Sequence, residues 1–162
     1  NDISAGRDDP SMFALAAKRG VPICLMHMLG TPKTMQDDPR YDDVVGEVRD
    51  FLARRRDAAV AAGIQRGRII LDPGIGFGKT VEHNLEILRR LNELKVLGCP
   101  ILVGPSRKSF IAKVLRLNSQ SRTSGTLATC VMAAERGANI VRVHDVKEVS
   151  QSLKIVEAVK KC

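Results

Sequence analysis

Aromatic side chains are scarce, at 3% of residues, with no Trp and one Tyr. Stacking platforms for single-stranded nucleic acid are therefore nearly absent. No apolar run approaches the roughly 18 residues that a membrane-spanning helix needs. The opening Asn1-Asp2-Ile3-Ser4-Ala5-Gly6 has neither the charged start nor the apolar stretch of a secretory signal. None of the four cysteines, Cys24, Cys99, Cys130 and Cys162, belongs to a C-x-x-C pair, so zinc spacing is missing. Cys24, Cys99 and Cys130 sit among apolar residues and read as small core side chains. These absences predict a cytoplasmic chain that engages neither membrane nor nucleic acid.

What is present fits a folded domain: 162 residues, 44% hydrophobic and 27% charged. The net charge of +8 attracts polyanions, phosphorylated metabolites among them. It is scattered over Arg7, Lys18, Arg54 to Arg56, Arg89, Arg116 and Lys160, with no dense basic arm.

One pattern recurs along the chain: a short β-rich run, a loop with Gly or Pro, then an amphipathic helix. A first helix, capped by Asp9 with Pro10 at its first position, runs to Arg19 and stops at Gly20. Val21 to Met28 reads as a strand, followed by a loop to Tyr41. Asp42 to Ala62 is the strongest helix, with Val44, Val48, Phe51, Leu52, Arg55 and Ala59 on one stripe and Gly63 as its stop. Arg68 to Leu71 is a strand, and Thr80 caps a helix that turns Leu85, Leu88 and Leu91 inward. Pro100 to Val103 and Asn139 to Val143 are strands, separated by helices at Ser109 to Leu115 and Thr123 to Arg136. Asp145 with Glu148 forms a capping box for the last helix, which buries Val149, Leu153 and Val156.

Alternating strands and helices imply parallel pairing through right-handed crossovers. A (β/α)8 TIM barrel and a doubly wound sheet both fit, and both bind ligands at the carboxyl ends of the strands. A complete barrel takes about 250 residues, so about four β/α units plus the stub at Asn1-Asp2-Ile3 suggest roughly its second half, a single partial domain over residues 1–162.

The loudest segment is Asp72-Pro73-Gly74-Ile75-Gly76-Phe77-Gly78-Lys79-Thr80. It is not a P-loop, because G-x-x-x-x-G-K-[ST] needs glycine where Pro73 stands. Nor is it the dinucleotide fingerprint, because Lys79 occupies the third glycine position. Asp72, at a strand end and held by Pro73, can accept two N–H bonds from a planar, guanidine-like ring edge; its plainer role is to tether the loop. Ser106-Arg107-Lys108-Ser109 opens a helix after a strand and offers an anion site. Arg142 and His144, spaced to share one strand face, suit a phosphate leaving group. The Asn1 amide can read a ring edge carrying donors and acceptors. Met26 and Met28 read as core or pocket wall, His27 as structural, and His83 as a surface or capping group.

Together these residues resemble dihydropteroate synthases. The matching stretches are Asn1 to Ser4, Leu25 to Met28 with Gly30-Thr31-Pro32 and Met35-Gln36, Asp72 to Thr80 with His83-Asn84-Leu85, Ser106 to Ser109, Gly125 to Ala128 and Arg142 to Val146. The resemblance implies a pterin-binding TIM barrel that joins 6-hydroxymethyl-7,8-dihydropterin pyrophosphate to p-aminobenzoate, giving 7,8-dihydropteroate and pyrophosphate. It implies that Asp72 and Asn1 bind the pterin's aminopyrimidine edge, and that Met26 and Gly104 line the pterin pocket. Lys108 would reach the pterin ring and lie near p-aminobenzoate, Ser109 would contact p-aminobenzoate, and Phe77 would wall that subsite. Arg142 would lie on the pterin face and, with His144, hold the pyrophosphate. Lys108, Arg142 and His144 are thus the expected catalytic groups. The resemblance further implies Mg2+ held by a residue outside this chain, sulfonamides as competitors and a homodimer of complete barrels. A pterin-binding methyltetrahydrofolate methyltransferase could use Asn1 and Asp72 similarly, but Ser106 to Ser109 and Arg142-x-His144 favour a pyrophosphate substrate. A non-catalytic basic fragment is the remaining alternative, and DNA binding that falls steeply with salt would reveal it.

Overall fold

The computed structural model describes residues 1–117 and 122–161; Cys162 lies outside them. Helix α1 (Met12–Arg19) precedes strand β1 (Ile23–Met26), and α2 (Val44–Ala61) leads through a 3₁₀ turn, Arg66–Arg68, to β2 (Ile69–Asp72). Helix α3 (Val81–Arg89) and a 3₁₀ segment, Leu91–Leu97, precede β3 (Leu102–Val103). Then follow α4 (Ser109–Leu115), α5 (Thr123–Glu135), β4 (Ile140–Val141) and α6 (Val146–Lys160).

Strand order decides the architecture. β1 runs parallel to β2, with Ile23 opposite Ile69 and Met26 opposite Asp72. β3 runs parallel to β4. A bridge from Leu71 to Ile101 joins the two pairs, and one from Asp2 to Leu25 adds the amino-terminal stub. Spatial order therefore equals chain order. A doubly wound sheet reverses order at its switch point; this one does not, and it forms an arc of a (β/α)8 barrel. Every residue of β1 is buried, as expected where helices cover one face of a parallel sheet and the barrel interior the other. Leu25, Met26, Leu71 and Ile101 are at most 1% exposed. Burial of each such side chain stabilises the fold by about 1.5–3 kcal/mol.

β1, β3 and β4 are shorter than the sequence suggests, because proline and glycine end their ladders, while β2 keeps its length one residue further on. Pro22 and Pro100 carry no N–H, and Pro100 serves only as an acceptor, for Leu71 N–H. β3 leaves the sheet at Gly104-Pro105, so β4 adds only one further bond past Val141, from Arg142 N–H to the Val103 carbonyl. Regular helix α1 begins at Met12 with Ser11, not Asp9, at its N-cap, because the Asp9 carboxylate forms a turn ahead of the helix, accepting the Ser11 N–H and hydroxyl at 2.8 and 2.7 Å. Gly20 ends it in the left-handed region, with φ of 59°. The α2 stripe packs inward as expected, and Arg55 at its edge donates to the Ala5 carbonyl at 2.7 Å.

Three expectations fail. Leu85 is 44% exposed; the inward stripe of α3 is Asn84, Ile87 and Leu88, because the Asn84 amide is needed by the loop beneath it. Asp145 stands at the N-cap of α6, but its side chain makes no capping bond there. Its carboxylate is taken by the Arg107 guanidinium at 2.5 and 3.3 Å, which also holds it below the usual carboxylate range. Of the three apolar residues expected inside α6 only Val149 is buried; Leu153 and Val156 remain half-buried on a helix that packs mainly against α5. The capping box instead belongs to α3: Thr80 Oγ1 accepts the His83 N–H and His83 Nδ1 accepts the Thr80 N–H, each at 3.2 Å. Cys24, Cys99 and Cys130 are buried free thiols.

Candidate active site

Asp72 is the last residue of β2 and is 1% exposed. Its Oδ1 accepts the Gly74 N–H at 2.8 Å, and its Oδ2 accepts from Arg142 Nη2 at 3.1 Å. Burial pushes its pKa up, against the pull of the Gly74 amide, Arg142 and Lys108. Each carboxylate oxygen keeps a second lone pair for a further donor. Arg142, just beyond β4, also donates through Nη1 to Asn1 Oδ1 at 3.0 Å. One guanidinium thus ties together Asn1, beside the stub bridge at Asp2, and the carboxyl ends of β2 and β4. It passes over Gly104, where an added Cβ would stand 2.8 Å from Nη2.

Lys108 reaches the same centre from the loop after β3. Its Nζ donates to the Ile75 carbonyl and stands 4.4 Å from the Phe77 ring centroid. Burial pushes its pKa down to about 8, opposed by the Asp72 charge and assisted by Arg142. Ser106, buried beside it in sequence, has its hydroxyl 2.9 Å from His144 Nδ1 and accepts the His144 N–H at 3.2 Å. Arg107 adopts a left-handed φ of 58°, and its N–H donates to Thr126 Oγ1 at 3.2 Å. Arg142 and His144 thus find different partners, Asp72 and Ser106. Met26 lies fully buried opposite Asp72. Ser109 opens α4 exposed, next to Lys108.

The loop between Asp72 and Thr80 has no ladder to satisfy its backbone, and side chains do so instead. The carbonyls of Ile75, Gly76, Phe77 and Gly78 accept from Lys108 Nζ, Gln36 Nε2, Lys79 Nζ and Tyr41 Oη respectively. Asn84 Oδ1 accepts the Gly76 N–H at 2.6 Å, while its Nδ2 donates to the Thr80 carbonyl at 2.6 Å. Gly74 has φ of 70° and approaches β1 so closely that a Cβ would lie 1.8 Å from the His27 carbonyl oxygen.

Lys79 is the residue that sequence reading missed. It is 4% exposed, and its Nζ lies 2.9 Å from both His27 Nδ1 and the Phe77 carbonyl. Burial, first of all, drives both partners toward neutrality: Lys79 falls to about 7, and His27 falls well below the histidine range. The signal available was His27, a histidine expected inside and therefore in need of a buried partner.

Among the described residues no group of three or more His, Cys, Asp or Glu is arranged to hold a metal ion. Among them too, no helix is long and apolar enough to cross a membrane.

A family model described as pterin binding enzyme matches residues 1–144. A dihydropteroate synthase of Synechocystis is 50% identical over 159 residues, which are 98% of this chain and 55% of that protein. The crystal structure of the Yersinia pestis dihydropteroate synthase with a sulfonamide drug is 45% identical, with a TM-score of 0.95 over 99% of this chain and 58% of that one. The Thermus thermophilus enzyme in complex with 6HMPPP is 42% identical, with a TM-score of 0.92 over 99% and 63%. The chain spans about half the length of the curated relatives that it matches, 55% for the Synechocystis protein.

Proposed function

The chain belongs to the pterin binding enzyme family, and from that premise we propose that it forms the carboxyl-terminal part of a dihydropteroate synthase barrel, condensing 6-hydroxymethyl-7,8-dihydropterin pyrophosphate with p-aminobenzoate. The observation that carries this reading is the buried Asp72 carboxylate bridged by Arg142 to Asn1 at the strand ends. A pterin's aminopyrimidine edge presents adjacent N–H donors, and Asp72 keeps lone pairs to accept them. Asn1 Oδ1 and Nδ2 supply a mixed pair beside it, and Met26 and Gly104 close the pocket. Arg142 is planar and half-exposed, 40% at its side chain, suited to lie on the heterocycle while facing the diphosphate. His144, backed by Ser106, is the second group for that anion.

The chemistry then needs no strong base. An aryl amine is neutral at pH 7, and C–O cleavage leaves a resonance-stabilised pterin cation. Catalysis rests on stabilising the departing pyrophosphate and on holding the amine in line. Lys108 and Arg142 provide the positive charge, and Phe77 with Ser109 positions the amine. Magnesium, which the family resemblance implies, would be held by a residue outside this chain and would help to neutralise the departing pyrophosphate; among the described residues no group of three or more His, Cys, Asp or Glu is arranged for a metal ion. Sulfonamides enter as competitors for the amine subsite, in line with the Yersinia complex. A cytoplasmic homodimer goes with the same reading.

The test is turnover in a full-length barrel carrying these residues. Lys108→Ala and Arg142→Ala each lower kcat about a hundredfold or more, as loss of one positioned charge does, while melting stays cooperative. Unchanged turnover removes the assigned roles. The 162-residue chain by itself is expected to be poorly active, because the family's earlier strand-end loops carry further pyrophosphate and p-aminobenzoate contacts.

A further inference from the structure

We propose that Lys79 is a positioning residue for the aryl-amine subsite: by holding the Phe77 carbonyl from inside the molecule, it sets where the Phe77 ring stands. The inference rests on the functional reading above. Lys79 is buried, 4% exposed, with its Nζ between His27 Nδ1 and the Phe77 carbonyl, each at 2.9 Å. His27 is itself fixed, its backbone N–H donating to the Asp72 carbonyl at 2.9 Å and its ring meeting the Phe51 ring edge-on at 4.9 Å. The amine is therefore anchored to the strand that carries Met26, next to the strand that carries Asp72.

A buried amine is a costly filler. An apolar side chain would occupy the same space without desolvating a polar group. What Lys79 adds is a donor to one particular carbonyl. Phe77 lies in an irregular loop, where its N–H already donates to the Gly74 carbonyl at 3.0 Å. Fixing its carbonyl as well fixes both peptide planes around its Cα, and hence the direction of the Cα–Cβ bond that carries the ring. That ring packs under the Lys108 ammonium at 4.4 Å. Displacement of the ring therefore disturbs the amine's wall first, leaving the Asp72–Arg142–Asn1 grip on the pterin intact.

The experiment uses a full-length barrel carrying these residues, with Lys79→Met as the variant that keeps length and loses the donor. KM for p-aminobenzoate and the inhibition constant of a sulfonamide rise about tenfold, while kcat and KM for the pterin pyrophosphate stay within about twofold. In a Phe77→Leu background the same substitution adds less than about twofold, because its effect passes through the missing ring. Lys79→Gln, which keeps one donor, falls between the parent and Lys79→Met. Equal shifts in both KM values overturn the proposal, as does a tenfold effect that persists undiminished in Phe77→Leu. Failure of both Lys79 variants to fold, read by thermal melting, makes the residue purely structural and overturns it too. A parent barrel that makes no dihydropteroate overturns the functional reading, and this inference with it; the other outcomes overturn the inference alone.

Discussion

The loop after β2 and the rim made by β4 and α6 are built in opposite ways. In the loop, four successive carbonyls, at 75 to 78, are held by side chains from four positions between 36 and 108. At the rim, pairing of β4 stops at Val141, and α6 leaves Ile155 and Val159 at 67% and 70% exposure. Order at the centre of the arc comes from residues within this chain. The rim buries one residue of α6, Val149, and reaches the centre through Arg142, the residue after β4. The proposed grip on the pterin sits where the structure is most heavily cross-tied.

That contrast can be broken by substitution. Gly74→Ala places a Cβ against the His27 carbonyl at a left-handed φ, and is expected to cost about 4 kcal/mol or more in urea unfolding, the largest effect of the set. Leu25→Ala, in the buried strand beside the loop, costs about 2–5 kcal/mol by the same measurement. Proton linkage gives a smaller, directional effect. Lys79 has a folded pKa of about 7, below the unfolded value of 10.5. Between them the unfolded chain binds one more proton, so stability rises with pH across that window. His27, also depressed, makes stability fall as pH drops below the ordinary histidine value of 6.5. Urea midpoints measured from pH 5 to about 9, below the range where the buried thiols of Cys24 and Cys130 oppose the trend, should climb, and Lys79→Met should reduce the alkaline part of the climb to the share of Lys108. At the rim, Ile155→Ser is expected to change stability by no more than about 0.5 kcal/mol; a larger loss would show that α6 carries more of the fold than its exposure suggests.

The activity itself gives a further handle. The Lys108 charge is lost as pH rises through about 8, so kcat/KM for the pterin pyrophosphate should decline above that pH. A flat profile to about pH 10, the ordinary range for a lysine, would mean that its charge does not matter to the anion.

The alternation of strands and helices was legible because parallel strands must be apolar and helices must repeat at 3.6 residues. Thr80 and Gly20 announced helix ends for local reasons that tertiary contacts did not disturb. Leu85 misled because Asn84 takes an inward position for polar reasons, which hydrophobic periodicity does not register. Asp145 misled because its capping role competes with Arg107, 38 residues away, and the nearer charge wins. In the site, Asp72, Lys108 and Arg142 were singled out through motif and resemblance; the structure bonds Arg142 to Asp72 and Asn1 and sets Lys108 near enough for its charge to act on Asp72. Lys79 escaped because a lysine beside glycines reads as solvent-facing, and only the three-dimensional approach of His27 shows otherwise.

The four ties that Lys108, Gln36, Lys79 and Tyr41 make to positions 75 to 78 all end on main-chain oxygens. Main-chain oxygens are the same whatever amino acid bears them, so these four hydrogen bonds do not depend on the ring at position 77, which itself meets only the Lys108 ammonium among those four donors. On the proposed reading, exchanging that ring for another shape would alter which aromatic molecules the barrel admits while these four hydrogen bonds are retained. Selection by an inhibitor would then act on a ring that takes no part in the bonds from Arg142 to Asp72 and Asn1.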